Sequence, residues 1–297
     1  MKSVSIIWIV FISLFLSIGC SEVNNDITPP PTVGVHPVGF GDRTSPNFHK
    51  FVFRENDWSF NLRACQECHA ADYAGGVTGQ SCLGCHREPA GPEACNTCHG
   101  DFSNPEYIAP PLDLEDNSEV SARGVGAHFK HVYDTTSVSV NYGCFECHQK
   151  TDGKDLFVHE HIAPPPAKME FGEFAHSDSL GLEPIYDFTD LNCSNTYCHG
   201  GFKFGKSSSQ NQWAYAEDYI VGNNYSPVWN STTGKEAECG TCHGEIDADG
   251  NLVTPQPKGH FGAFVITDCV NCHSSVVDGE GKIIDRLKHI NKEINYP

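Results

Sequence analysis

Hydrophobic residues are concentrated at the start of the chain and dispersed elsewhere. Lys2 is followed by an apolar run from Val4 to Ile18 that ends in Gly19 and Cys20, the layout of a secretory signal. The run falls short of the roughly 20 residues a membrane-spanning helix needs. Residues 1–19 are therefore expected to be a signal peptide. The next stretch, SEVNNDITPPPTVGV, is polar, carries Pro29 to Pro31 in a row and has no apolar period. Residues 20–35 read as an extended, flexible tether, with a disordered mature N-terminus as the plain alternative. Beyond residue 35 no long helical period is visible. The 28 glycines and 18 prolines break the chain into short pieces, and segments such as Gly201 to Ser209 and Gly222 to Gly234 read as loops. The pattern predicts a mostly irregular fold with short α-helices.

Those helices are expected where cysteines recur. Seven times a cysteine pair is followed at once by histidine: Cys65/Cys68/His69, Cys82/Cys85/His86, Cys95/Cys98/His99, Cys144/Cys147/His148, Cys193/Cys198/His199, Cys239/Cys242/His243 and Cys269/Cys272/His273. Six read CxxCH and one reads CxxxxCH. Two thiols at such spacing can add across the vinyl groups of a haem, and the adjacent imidazole then reaches the iron. Zinc sites do not require a histidine directly after the second cysteine, and here it follows every time. Fourteen of the 15 cysteines fall in the motifs and the last is Cys20, which leaves no pair for a structural disulfide. Cysteines at i and i+3 share one face of a helical turn, so each CxxCH fits a single short helix. The longer motif does not, and its backbone from Ser194 to Tyr197 is predicted to bulge. Seven covalently attached haem c groups would supply apolar surface that the side chains do not. The core is therefore expected to be built around a row of seven haems.

Cys20 also bears on anchoring. Gly19 before it resembles a bacterial lipoprotein signal, in which Cys20 becomes the lipidated first residue. Ser17 stands where leucine is usual, with Leu16 one step further away, and simple cleavage is the alternative. Export is expected on either reading, because covalent haem attachment in bacteria takes place outside the cytoplasm.

The formal charge of −19 argues against nucleic acid and anionic lipid surfaces as partners. A soluble partner is expected to present a basic face, unless the acidity serves only to keep an exported protein dissolved.

The motifs are unevenly spread. Twelve residues separate His69 from Cys82 and 8 separate His86 from Cys95, whereas the later gaps are 44, 44, 39 and 25. A three-haem unit over residues 36–112 is expected to precede a four-haem unit over 113–297, joined in the stretch Ala109 to Glu119, which carries two prolines and four acids. Within the second half, CFECHQKTDGKDLFVHEHI from Cys144 and CVNCHSSVVDGEGKIIDRLKHI from Cys269 share a CxxCH, an Asp-Gly turn and a later His-Ile. Each is preceded by a Gly-Ala-His or Gly-His step, in GVGAHFKH and KGHF, which reads as one unit used twice. With NCSNTYCHGGF at Asn192 to Phe202 and SPVWNSTTGKEAECGTCHG at Ser226 to Gly244, these segments resemble the multihaem c-type cytochromes with paired CxxxxCH and CxxCH motifs. Many of that family are outer-membrane lipoproteins of metal-reducing bacteria. The likeness is specific in the second half, and it implies extracellular or periplasmic electron transfer. Ala163 and Asn291 follow the His-Ile steps where the family commonly has glycine.

Each haem iron also has a distal side. Met169 is the only methionine left after signal removal, so at most one haem is His/Met. Nine histidines lie outside the motifs, more than seven haems require. His36 and His49 are assigned to the N-terminal unit, His128, His131 and His161 to the middle, and His260 and His289 to the end. His159 and His176 are the spares. Which one serves which haem is not legible in the sequence.

The resulting expectation is an electron-transfer protein rather than an enzyme, with mostly bis-histidine haems of low potential. Its partners would be other redox proteins or an extracellular electron acceptor, and the membrane through a lipid anchor. Two rivals stand beside it: a subunit of a conducting homo-oligomeric filament, and a reductase of a small oxyanion with one open haem. Weaker features are Asp247, Asp249, Gly250 and Asn251, which read as a turn rather than a calcium loop, and Trp58, Trp213 and Trp229, for which packing is the default and stacking near haems the alternative.

Overall fold

The computed structural model describes residues 35–56, 58, 61–101, 104–108, 112–150 and 166–296. The signal, most of the tether, His159 and His161 lie outside them. The chain divides into two compact units, residues 1–52 and 53–297.

The described part of the first unit is a string of hydrogen-bonded turns. Asp42 N donates to the Gly39 carbonyl and Ser45 N to that of Asp42, at 3.0 and 2.9 Å. Asp42 Oδ1 accepts from both Thr44 N and Thr44 Oγ1, the side-chain mimicry that makes aspartate a turn residue. His49 N then returns to the Phe40 carbonyl at 2.9 Å and opens the helix His49–Glu55, which at 7 residues is the longest among the described residues.

Among the described residues of the second unit, regular structure is confined to short helical turns and four antiparallel hairpins. These pair β1 (Gly100–Asp101) with β2 (Asn104–Ile108), β3 (Ile185–Asp187) with β4 (Asn192–Ser194), β5 (Lys203–Gly205) with β6 (Tyr219–Val221), and β7 (Glu245–Ile246) with β8 (Leu252–Thr254). No helix among the described residues is long and apolar enough to cross a membrane. The expected irregular fold with short helices is what the chain adopts, with small sheets added.

Side chains provide little core. Among the described residues the buried apolar ones are Tyr73, Val125, Ala175, Ala214, Tyr215, Ile220 and Val276, and of these only Ala214, Tyr215 and Ile220 form a cluster, against which Phe202 and Phe261 pack. Turns carry much of the remaining order. Asp247 Oδ1 accepts from Asp249 N and Asn251 N at 2.9 and 2.8 Å, closing the β7–β8 hairpin as the expected turn. Asp278 does the same with Glu280 N and Lys282 N.

The two predicted loops behave differently. Gly201 to Ser209 contains β5, because residues 219–221 return to pair with it and Lys206 N donates to the Asp218 carbonyl at 2.8 Å. Gly222 to Gly234 is irregular but tied down. Asn223 N donates to the Cys242 carbonyl, Tyr225 N to that of His199 and Trp229 N to that of Leu191, at 2.9, 2.9 and 2.6 Å. It is a strap laid across two of the cysteine motifs.

Candidate haem-binding site

All but one of the motifs fold locally as helical turns, as expected; the sixth, Cys239 to His243, does not. Helical turns cover Leu62–Cys65 with Gln66–His69, Cys82–Gly84, Cys95–His99, Cys144–Glu146, Tyr197–His199 and Val270–His273; the motif at Cys239 to His243 is held in turns. In three motifs the histidine N–H donates to the carbonyl of the first cysteine: His86 to Cys82, His148 to Cys144 and His273 to Cys269, at 3.0, 3.0 and 2.8 Å. One closed α-turn thus fixes the first cysteine and the histidine together. The longer motif absorbs its two extra residues as predicted: Cys193 sits in β4 opposite Tyr186, Asn195 turns the chain at φ +59°, and a 3-10 turn carries Cys198 and His199. Gly200 follows at φ +85°, where an added Cβ would run into the Cys242 carbonyl. That close approach brings the fifth and sixth motifs together.

Imidazoles from outside the motifs face imidazoles from within them. The ring centres of His128 and His148 are 6.1 Å apart, those of His131 and His199 6.1 Å, and those of His243 and His289 6.4 Å. A metal–imidazole bond is about 2 Å and the ring nitrogen lies about 1 Å from the ring centre, so two imidazoles on opposite sides of one metal ion hold their centres about 6 Å apart. The three pairs have the spacing that axial ligation of one iron requires.

The outer nitrogens fit as well. Nδ1 lies within 3.0 Å of a backbone carbonyl in eight of the described histidines, among them four of the paired ones: His128 on Val125, His131 on Ala127, His243 on Pro255 and His289 on Val138; His69 and His273 of the motifs, and His49 and His260 outside them, are the others. A donor hydrogen at Nδ1 fixes the tautomer and leaves Nε2 with its lone pair. Burial pushes the His128 pKa down to about 4 and that of His199 to about 3, and it also lowers His131, His148, His243 and His289. These imidazoles are neutral near pH 7, the form that binds a metal.

Burial raises the thiols in turn, Cys147 and Cys198 to about 12 and Cys193 and Cys242 to about 11. Among the described residues no cluster of three or more His, Cys, Asp or Glu side chains is arranged to hold a bare metal ion. Half-buried thiols beside a gap between two imidazoles suit a covalently attached porphyrin. The buried hydroxyls of Thr196 and Thr241, each close in sequence to a motif cysteine, have no hydrogen-bond partner and offer donors to polar groups of such a cofactor. Electrostatic influence between thiols links Cys65 with Cys82, Cys147 with Cys193 and Cys198, Cys198 with Cys242, and Cys239 with Cys269, and His99 acts on His128. The first motif is thus near the second, and the fourth to seventh follow one another in space as in sequence.

This enclosure does not extend to every thiol expected to bind haem. Cys68, Cys85 and Cys98, the second cysteines of the first three motifs, are exposed, as are Cys144 and Cys239, the first cysteines of the fourth and sixth; Cys272 is half-buried, as are Cys147, Cys193, Cys198 and Cys242. The backbone at these positions keeps the motif geometry. Cys85 N donates to the Cys82 carbonyl and Cys272 N to that of Cys269, both at 3.2 Å, and Cys98 lies on the helix Cys95–His99. An added Cβ at Gly76 would run into the Cys68 carbonyl, so the chain passes close behind that turn. The side chains of Cys68, Cys85 and Cys98 are nevertheless left uncovered. For Cys68, Cys85, Cys98, Cys144, Cys239 and Cys272 a haem-binding role therefore rests on motif spacing alone, whereas for the half-buried Cys147, Cys193, Cys198 and Cys242 the desolvation that raises their thiol pKa values, in motifs whose histidines are paired, supports it as well.

Residues 192–243 match the family described as Geobacter CxxxxCH...CXXCH motif. No curated protein and no solved structure matches the chain. The matched segment holds Cys193, Cys198, His199, Cys239, Cys242 and His243 together with the whole strap. A match to that motif family supports covalent haem c and is consistent with a multihaem c-type cytochrome.

Other predicted residues are placed less fully. His36 stacks on Phe40 at 4.0 Å, and His49 packs on Phe48 with Nδ1 3.0 Å from the Phe40 carbonyl. His69 sets Nδ1 2.9 Å from the Gln80 carbonyl. His260 has Nδ1 2.9 Å from the Phe261 carbonyl and lies among Phe261 and Phe264, not opposite a motif imidazole in any described ring pair. His176 has the opposite arrangement, with Nε2 3.3 Å from the Phe171 carbonyl and Nδ1 3.4 Å from Glu183 Oε2. Cys20, His159, His161 and the Cys95 side chain fall outside the described set.

Two residues that the sequence did not single out support the site. Asn223 Nδ2 lies 3.0 Å from each of the Gly240, Thr241 and Gly244 carbonyls, clasping the sixth motif. Arg286 Nη2 donates to the Asp134 carbonyl at 3.0 Å and Nη1 to that of Thr135 at 3.1 Å. An asparagine in a loop and an arginine near the end of a chain carry no local signal of such roles.

Proposed function

We propose that the protein is an exported seven-haem c-type cytochrome that carries electrons through a row of mostly bis-histidine haems, in extracellular or periplasmic respiratory electron transfer. The observation that carries this reading is the set of three imidazole pairs at 6.1, 6.1 and 6.4 Å, each joining a motif histidine to one from outside the motifs. Bound haem iron supplies one-electron exchange between its ferric and ferrous states. The chain's part is to hold both axial nitrogens, keep the imidazoles neutral by burial, and bring consecutive motifs close enough for exchange.

A closed pair of imidazoles leaves no coordination position for a substrate, which favours a conduit over an enzyme. The lipoprotein-like layout around Cys20 supports an outer-membrane location, on the periplasmic or cell-surface face. The partners proposed are other redox proteins or an extracellular acceptor, with a basic face on any protein partner.

The test is haem quantification of the purified protein together with an electron paramagnetic resonance spectrum of its ferric form, before and after adding cyanide or nitrite. Seven haems per chain with only low-spin signals, unchanged by either addition, is the expected result. A high-spin signal that shifts with the added ligand would replace the conduit with an oxyanion reductase.

A further inference from the structure

The strap residue Trp229 sits where two of the imidazole pairs meet. Its indole meets the His128 ring edge-on, with centres 4.7 Å apart and planes at 87°, and faces the His131 ring at 5.9 Å and 25°. His128 and His131 lie three residues apart on the helix His128–Val132, so they project from one face of it. They face different motif histidines, His148 and His199. One indole therefore touches the outer ligands of two consecutive sites.

The indole is held on several sides. Nε1 donates to the Arg123 carbonyl at 3.0 Å, the Trp229 backbone N–H donates to the Leu191 carbonyl at 2.6 Å, and the next residue anchors the strap through Asn230 Nδ2 on the Ser121 carbonyl at 2.8 Å. Tyr186, the cross-strand partner of Cys193, meets the indole edge-on at 6.3 Å. Gly126 makes the space: it stands at φ +46°, and a Cβ there would overlap the indole ring.

The Nδ1 bonds of His128 and His131 to Val125 and Ala127 fix one atom of each imidazole, but a ring can still swing about that bond. A rigid indole packed against both rings removes this freedom at both sites together. We propose that Trp229 is a shared positioning residue, which sets the imidazole planes of His128 and His131 and so couples the ligand geometry of the haem at Cys144–His148 to that of the haem at Cys193–His199. The inference rests on the haem ligation proposed above.

The experiment compares the full-length holoprotein with Trp229→Leu, Trp229→Phe and Gly126→Ala, the last of which displaces the indole without removing it. Haem content, ferric electron paramagnetic resonance and a spectroelectrochemical titration are read for each. The signals of the two haems are assigned by His128→Ala and His131→Ala, each of which opens one iron. Haem content is expected to stay at the wild-type value in all three variants, since attachment uses the thiols. Two low-spin signals and the two corresponding potentials shift together in Trp229→Leu and in Gly126→Ala, shift less in Trp229→Phe, and the other five stay in place. Full haem content with unmoved signals, or movement at only one of the two haems, would overturn the shared role. Wild-type protein without haem would instead overturn the ligation on which it rests.

Discussion

His289 Nδ1 lies 2.7 Å from the carbonyl of Val138, 151 residues earlier in the chain. That bond orients His289 toward His243 and makes the loop from Asp134 to Asn141 part of a ligand site that is distant in sequence. The loop is held in turn by Arg286, which donates to the carbonyls of Asp134, Thr135 and Ser139, to Ser137 Oγ and to Asn141 Oδ1.

Lysine cannot reproduce the planar fork of donors. Arg286→Lys is therefore expected to leave several loop carbonyls unpaired, to lower stability by about 1–3 kcal/mol, and to let His289 leave its position. A high-spin ferric signal from a single haem is the diagnostic. Arg286→Lys with wild-type stability and only low-spin signals would show that the loop holds His289 without the arginine.

The imidazole planes differ between pairs, and this has a spectroscopic signature. His128 and His148 lie within 17° of parallel, whereas His131 with His199 and His243 with His289 are crossed at 68° and 71°. Parallel planes donate π density along one direction and split the iron d orbitals. Crossed planes leave two of them nearly degenerate. The ferric spectrum is expected to contain one rhombic low-spin signal that disappears in His128→Ala, and two strongly anisotropic signals of which His131→Ala and His289→Ala each remove one. Removal of an anisotropic signal by His128→Ala would mean that the planes are set otherwise.

Much of this site was legible in the sequence, and what was not depended on distance along the chain. The spacing of CxxCH dictates one helical turn, and the extra pair of residues at Cys193 to Cys198 dictated a departure from it, which appears as a strand end, a left-handed Asn195 and a 3-10 turn. The GVGAHFKH segment places two histidines on one short helix by local spacing alone. Pairing was not legible, because His131 meets His199, and His289 meets His243, only through the loops that bring them together. Nor was the difference between an exposed Cys68, Cys85 or Cys98 and a half-buried Cys147 or Cys272, since motifs of the same spacing are covered or left open by chain that lies elsewhere. The strand Lys203–Gly205 was hidden for the same reason: its stretch is rich in glycine and serine, and its order comes from residues 219–221. Trp229 had no periodicity to distinguish it from a packing aromatic.

Acid stability provides a further test, at Asp134. Its side chain is buried, with Oδ2 2.6 Å from Lys130 Nζ and Oδ1 accepting from Thr136 N and Oγ1 at 2.7 and 2.6 Å. Burial alone would raise the carboxyl pKa, but the bonds from Lys130 and Thr136 outweigh it and hold the pKa at about 2, against 3.8 for the ordinary side chain. The group therefore stabilises the fold above about pH 4, and that contribution is lost as pH falls through about 2. Because the Lys130 amine is largely exposed, the contribution is about 1–2 kcal/mol. Asp134→Asn is expected to lower the urea midpoint at pH 6 and to approach the wild-type midpoint at pH 2. A difference that does not change with pH would mean that the loss comes from packing.

The strap makes the most local prediction. Asn223 presents one amide nitrogen to three carbonyls of the sixth motif, at Gly240, Thr241 and Gly244, while its backbone N–H donates to the carbonyl of Cys242. An aspartate in its place keeps the shape but replaces the donor with a carboxylate facing three carbonyl oxygens. Alanine removes the donor without adding charge. Asn223→Ala is expected to cost about 1–3 kcal/mol through unpaired acceptors, and Asn223→Asp more, because a charge facing acceptors adds repulsion to the lost bonds. Thermal denaturation of the two variants measures the order. Haem content then locates the effect, with the expected loss limited to one haem per chain, that of Cys239 to His243. If Asn223→Asp is as stable as Asn223→Ala and fully loaded, the strap is fixed by its backbone bonds and the side chain contributes little.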